Sequence, residues 1–191
     1  MLRVIKNIQH LIGKKKLMIK LLILDVDGVL TDGKKSYGLD GLVLSKEFCD
    51  RDFTAIKRFK AGGTQVCFLS GDRKINETIA KNRKIDFYFS DAGYGDKANF
   101  IKEFEKTYNC TREEMAYIGD DLFDISIMES VGHTICPSAV PIEVQKCSDF
   151  IIDKESGDNV VASLYELCIE EGLIDSSTLE QVKELDKLET F

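Results

Sequence analysis

Leu21-Leu22-Ile23-Leu24-Asp25-Val26-Asp27-Gly28-Val29-Leu30-Thr31 is an apolar run that stops at two aspartates, one residue apart, followed by a glycine. Side chains alternate between the faces of a strand, so a run that is apolar on both faces reads as a buried, parallel strand. A carboxylate in such a place is expensive unless it is paired or bound to a metal. An acidic turn would account for Asp27-Gly28, but Asp25 interrupts the run before the turn begins. The carboxyl end of a strand in an open α/β sheet is where such folds bind ligands.

Working outward, strands alternate with helices. The pattern predicts strands at Met18–Leu24, Thr64–Leu69, Asp86–Phe89, Ala116–Ile118, His133–Ile135 and Phe150–Ile152. Helices are expected over Asp52–Ala61 (stopped by Gly62-Gly63), Arg73–Arg83, Asp96–Tyr108, Asp124–Ser130, Ile142–Lys146 and Asn159–Glu170. Thr111 and Glu114 have capping-box spacing. Repeated strand–helix–strand units give an α/β fold, a Rossmann-like parallel sheet with helices on both faces. One segment breaks the alternation. Thr31–Leu44 holds Gly33, Gly38 and Asp40-Gly41 between short β-like runs, the signal of a β-hairpin flap beside the first strand.

The ends of the chain read differently. Leu2 to Ile12 carries apolar residues at 2, 5, 8 and 12, then Lys14-Lys15-Lys16. That is near helical spacing, and residues 1–17 are expected to be an amphipathic extension packed on the body or a partner. A secretory signal would place its charge before the apolar stretch, and this one is too short to span a bilayer. Residues 18–174 form the main domain, and 175–191 a helical tail in which Ser177 and Glu180 have capping spacing.

Composition narrows the class. The 191 residues are 43% apolar and 31% charged, enough for one sizeable core. A net charge of −7 argues against a nucleic-acid surface. Six cysteines without a CxxC pair, most in apolar contexts, are expected to be free thiols of a cytoplasmic protein.

Three further segments end predicted strands and point to the same sheet edge. Ser70-Gly71 offers a hydroxyl and a flexible backbone at a helix start, which suits a phosphate oxygen. Lys97 opens a helix, where the dipole opposes a cation. Gly119-Asp120-Asp121-Leu122-Phe123-Asp124 places three carboxylates in five positions after an apolar strand. These groups have one consistent chemistry. Asp25 and Asp120 supply hard oxygens for Mg²⁺, which offsets repulsion between Asp25 and an anionic substrate. Asp25 is then a carboxylate nucleophile, and Asp27 a general acid and base. Ser70, Lys97 and backbone N–H groups near Gly28 hold the transferring phosphoryl oxygens.

From about Lys20 to Gly172, these ordered motifs make the chain similar to the haloacid dehalogenase-like superfamily of phosphatases. The resemblance implies nucleophile Asp25, acid/base Asp27, phosphate-binding Ser70 and Lys97, and metal ligands Asp25, Asp120 and the Asp27 carbonyl. Asp121 or Asp124 would support the metal from behind or through water. Spacings of 43 residues from Asp27 to Ser70, 27 to Lys97 and 23 to Asp120 leave no room for a cap domain, which needs roughly 50 residues or more. With Thr31-Asp32-Gly33 and the hairpin, the chain resembles the capless 3-deoxy-D-manno-octulosonate 8-phosphate phosphatases. It is similar also to the related domains of acylneuraminate cytidylyltransferases. This implies a homotetramer in which one subunit covers the next one's site. The pattern is departed from at Asp52-Phe53, where the subfamily has Asp-Gly, and at Asp72, where it has arginine. Ser156–Ser163 replaces its glycine- and arginine-rich stretch.

The expected activity is Mg²⁺-dependent hydrolysis of a small sugar-acid phosphate, an eight- or nine-carbon 2-keto-3-deoxy acid, through an aspartyl-phosphate. The partner is thus a small phosphomonoester, without nucleic acid or membrane. The competing readings are a non-catalytic oligomerisation module and a phosphatase for a different phosphorylated substrate. A module could lose Asp27 or Lys97 without penalty, and both are present.

Overall fold

A computed structural model describes residues 4–7, 17–90 and 96–190 of the chain. Its centre is a seven-stranded sheet in the order β1-β9-β8-β7-β2-β5-β6. The strands are β1 (Val4–Lys6), β2 (Leu21–Leu24), β5 (Gln65–Ser70), β6 (Asp86–Phe89), β7 (Met115–Ile118), β8 (His133–Pro137) and β9 (Phe150–Ile152). All pair in parallel except β1, which runs antiparallel to β9. A separate hairpin joins β3 (Ser36–Tyr37) to β4 (Val43–Ser45), with Gly41 at φ +75° in its turn. It lies between β2 and the first helix, where the glycine pattern puts it.

The two-sided apolar run explains why β2 is central. Leu22 and Leu24 enter one buried cluster and Leu21 and Ile23 the other, so both faces are covered. On the first face lie α1 (Asp50–Ala61), α2 (Lys74–Asn82) and α6 (Val160–Glu170), anchored by Phe53, Ile56, Phe59, Ala80 and Leu164. On the second lie α3 (Ile101–Tyr108), α4 (Ile125–Met128) and α5 (Ile142–Lys146), through Phe104, Ile127 and Val144. The acidic first turn of α1 (Asp50, Asp52) and its basic last turn (Arg58, Lys60) complement its dipole. Gly63, at φ +96°, turns the chain into β5. The Thr111–Glu114 capping box forms as the spacing predicts. Among the described residues, no connection between strands of the main sheet carries a second domain.

Two readings of the chain ends are corrected. Val4–Lys6, within the expected N-terminal helix, is a strand that lies along β9, pairing Val4 with Ile152 and Lys6 with Phe150. Ladder pairing with an otherwise open sheet edge outweighs helical spacing in so short a segment. The rest of the expected helix, residues 8–16 included, lies outside the described residues. At the other end, α7 (Leu179–Asp186) starts at a capping box of Thr178 and Gln181, one residue later than Ser177 and Glu180. The backbone N–H of Ser177 is taken by the Tyr165 hydroxyl at 3.2 Å.

Candidate active site

Asp25 follows β2 directly, Ser70 ends β5, and Asp120 stands two residues past β7. Because β2 lies between β5 and β7, the three share the carboxyl edge of the sheet where the connections diverge. They line a cavity of about 810 Å³, with Asp27, Gly71, Lys97, Asp121 and Asp124.

The turn after Asp27 brings the loops together. The Val26 carbonyl accepts from the N–H groups of Leu30 (3.0 Å) and Thr31 (3.2 Å), and Gly28 adopts φ +89°. A Cβ at Gly28 would stand 1.9 Å from Asp120 Oδ2. Glycine is required here twice, for its backbone angle and for the approach of Asp120. The Gly28 N–H reaches the Thr31 hydroxyl at 3.4 Å.

Lys97 opens a 3-10 turn over Lys97–Phe100, capped by Asp96, whose side chain accepts from the Ala98 N–H. Its ammonium donates to Asp25 Oδ1 (2.9 Å), Asp124 Oδ1 (2.6 Å) and the Tyr117 hydroxyl (3.0 Å). Tyr117, on β7, donates to Asp124 Oδ1 at 2.6 Å. Asp124 Oδ2 accepts from the N–H groups of Asp120 (2.9 Å) and Asp121 (3.0 Å). Asp124 is thus fully engaged by the protein, while Asp121 is exposed and caps the 3-10 turn over Leu122–Asp124.

The electrostatics follow from burial. Removal from water pushes the Asp25 carboxyl up, aided by the nearby Asp124 charge and opposed by Lys97. Asp120 is also raised, by burial and then by Asp25, Asp124 and Asp121. Burial works against the Lys97 ammonium, but Asp25 and Asp124 override it and hold its pKa above the ordinary lysine value. The Tyr117 hydroxyl is pushed well above its usual value by burial and the Asp124 charge. Carboxylate oxygens of Asp25, Asp120 and Asp124 lie within 4.8 Å of one another. Asp120 Oδ1 is buried without a hydrogen-bond partner. An orphaned carboxylate oxygen beside a second carboxylate fits a hard divalent cation. Asp25 and Asp120 are the residues that could hold one, with Asp124 spent on Lys97 and the loop.

Asp27 lines the same cavity and meets groups the sequence did not single out. Lys46, from the exit of β4, reaches Asp27 Oδ1 at 2.7 Å and Oδ2 at 2.9 Å. Asn76 Nδ2 donates to Asp27 Oδ2 (3.0 Å) and to Ser70 Oγ (2.9 Å). Asp72 accepts from Lys46 (2.8 Å) and Lys35 (2.9 Å). Between Ser45 and Glu47, Lys46 reads as a solvated flap charge. Two signals were there to be found: Asn76 is a weak helix former inside α2, and Tyr117 in an apolar strand needs a partner for its hydroxyl.

Residues 74–164 match the haloacid dehalogenase-like hydrolase family. A 3-deoxy-D-manno-octulosonate 8-phosphate phosphatase of Haemophilus influenzae is 31% identical over 153 residues, 80% of this chain and 83% of that relative. The cobalt-bound Haemophilus influenzae phosphatase structure superposes with a TM-score of 0.74 at 30% identity, over 80% of this chain and 88% of that one. The Moraxella catarrhalis enzyme, solved with magnesium, phosphate and its octulosonate (KDO), gives 0.72 at 28% identity, over 80% and 86%. With its sheet, site geometry and relatives in agreement, the chain belongs to the haloacid dehalogenase-like hydrolase family.

Proposed function

We propose that this chain is a Mg²⁺-dependent phosphomonoesterase acting on a small sugar-acid phosphate, a 2-keto-3-deoxy acid of eight or nine carbons. The observation that carries it is a pair of aspartates lining one cavity with different lysine partners: Asp25 held by Lys97, and Asp27 by Lys46. The kinship with octulosonate 8-phosphate phosphatases supports the substrate class. Asp25, Asp120 and the Asp27 carbonyl would hold Mg²⁺, which would supply positive charge against the phosphate.

A carboxylate oxygen of Asp25 attacks phosphorus, and the bond from phosphorus to the sugar oxygen breaks. Asp27 gives its proton to that oxygen, releasing the sugar as an alcohol and leaving an aspartyl-phosphate. Asp27 then takes a proton from water as the water oxygen attacks phosphorus, which frees inorganic phosphate and restores Asp25. Lys97, Ser70, Gly71 and the backbone N–H groups around Asp27 and Gly28 hold the phosphoryl oxygens. Asp124 holds Lys97 and the Asp120 loop in register.

Phosphate release across a panel of sugar phosphates with Mg²⁺, including eight- and nine-carbon keto-acid phosphates, tests this reading. Turnover of one acid sugar, lost to background in Asp25→Asn with unchanged circular dichroism, is the expected result; wild-type turnover in that variant would sink the mechanism. The catalytic unit spans residues 18–174, acting in the cytoplasm as a homotetramer. The apolar side chains of Tyr37, Leu39, Leu42 and Leu44, exposed on the hairpin, support a neighbouring subunit there. Light scattering checks the assembly, and an active monomer would contradict it.

A further inference from the structure

Lys46 is spent wholly inside the protein. Its side chain is 0% exposed, and its ammonium touches only groups around Asp27: both Asp27 oxygens, Asp72 Oδ2 at 2.8 Å and Asn76 Oδ1 at 2.9 Å. Burying a lysine is costly unless it is fully paired, and this one sits on an otherwise exposed hairpin. A lysine needed only for the hairpin's own fold would find water one residue away, at Ser45 or Glu47, both exposed. Its partners instead come from three different elements: the turn after β2, the loop after β5, and α2. Asn76 completes the arrangement from α2, donating to Asp27 Oδ2 while also holding the Ser70 hydroxyl.

From this geometry we propose that Lys46 is a positioning residue for leaving-group protonation: with Asn76, it aims the Asp27 carboxyl at the oxygen departing with the sugar. The assignment rests on Asp27 being the acid/base of the proposed reaction. Asp25 is held by a different lysine, Lys97. The two lysines therefore divide the work, one orienting the nucleophile and the other the proton donor. The hairpin takes part in the chemistry through Lys46, in addition to any role as a cover.

The consequence is a dependence on the leaving group. A sugar alkoxide needs a proton as it departs, whereas p-nitrophenolate leaves without one. Loss of aimed general-acid catalysis removes a factor on the order of 10²–10⁴, and only from the first kind of ester. The experiment measures kcat/KM on the best sugar phosphate and on p-nitrophenyl phosphate for wild type, Lys46→Met, Lys46→Arg and Asp27→Asn. This quantity covers the steps up to departure of the leaving group and leaves out the shared hydrolysis of the aspartyl-phosphate. The ratio of the two kcat/KM values within one preparation is independent of how much of it is folded. Lys46→Met is expected to lower that ratio about 100-fold or more, in the same direction as Asp27→Asn, with partial recovery in Lys46→Arg. An unchanged ratio in Lys46→Met beside a lowered ratio in Asp27→Asn overturns the role of Lys46 alone. An unchanged ratio in Asp27→Asn overturns the acid/base assignment, and the proposal for Lys46 with it.

Discussion

Asp124 shows how one side chain can organise a site without offering it a free atom. Its two oxygens accept from Lys97, Tyr117 and the N–H groups of Asp120 and Asp121, and it is 1% exposed. Replacement by asparagine keeps one acceptor oxygen and turns the other into an NH2, so either Lys97 with Tyr117 or the Asp120 loop meets a donor and loses its register. The expected outcome for Asp124→Asn is a rise of ~10–100-fold in the Mg²⁺ concentration for half-maximal activity, read from a metal titration at saturating substrate. Much of this site is legible in the sequence, because an interrupted apolar run, Lys97 at a helix start and the Asp120–Asp124 cluster each violate a local rule, and Ser70-Gly71 falls in order among them. Lys46 violates none, since lysine on a flap is ordinary, and only the tertiary structure shows it buried. Which of Asp121 and Asp124 lies inside is likewise not written in Gly119–Asp124, since it depends on where Lys97 arrives from a distant turn.

At the scale of elements, Asp52 ties two helices together. It belongs to α1, but its Oδ1 accepts from the Ala162 N–H at 2.9 Å, in the first turn of α6. Burial pushes its carboxyl up to about 6, against the α6 N–H groups that pull it down. The folded protein therefore holds a proton there between pH ~4 and ~6 that the unfolded chain has already lost. Stability from this group is present at low pH and falls as pH rises through about 6. A shift of this size corresponds to about 3 kcal/mol. Urea unfolding from pH 4.5 to 7.5 should show wild type losing about 2 kcal/mol of this relative to Asp52→Asn, which has no such proton to lose. The helix and strand pattern is legible because apolar periodicity is local: Asp86–Phe89, Ile142–Lys146 and Phe150–Ile152 have the bounds the sequence predicts. Val4–Lys6 is not, because Leu2, Ile5 and Ile8 fall at helical spacing, and the segment is decided instead by the sheet edge it meets.

For the whole molecule, the tail is fastened by charge more than by apolar burial. No residue of α7 is buried, and Leu179 and Leu188 are exposed, yet Glu189 lies against Arg83 at 2.8 Å and Lys57 at 3.3 Å with its side chain 4% exposed. Asp186 pairs with Lys57, and the Thr190 N–H bonds the Asn82 carbonyl at 3.0 Å. Glu189→Ala removes one partner from each of two cations, Lys57 keeping Asp186 and Arg83 keeping Asp50. It should lower unfolding stability by about 2 kcal/mol, measured in urea, while turnover per folded molecule stays at the wild-type level. The sheet order has a consequence for how the protein comes into being. β2 is made early but stands between β5 and β7, and its register with β7 runs from Leu21–Met115 to Leu24–Ile118. A growing chain that has reached β6 can lay β2 beside β5, yet it holds Asp25 with no Asp120 facing it. Hydrolytic competence therefore arrives late in synthesis, all at once, when the strand that brings Asp120 docks, and an interrupted chain ending before β7 carries the paired aspartates as an inert relic.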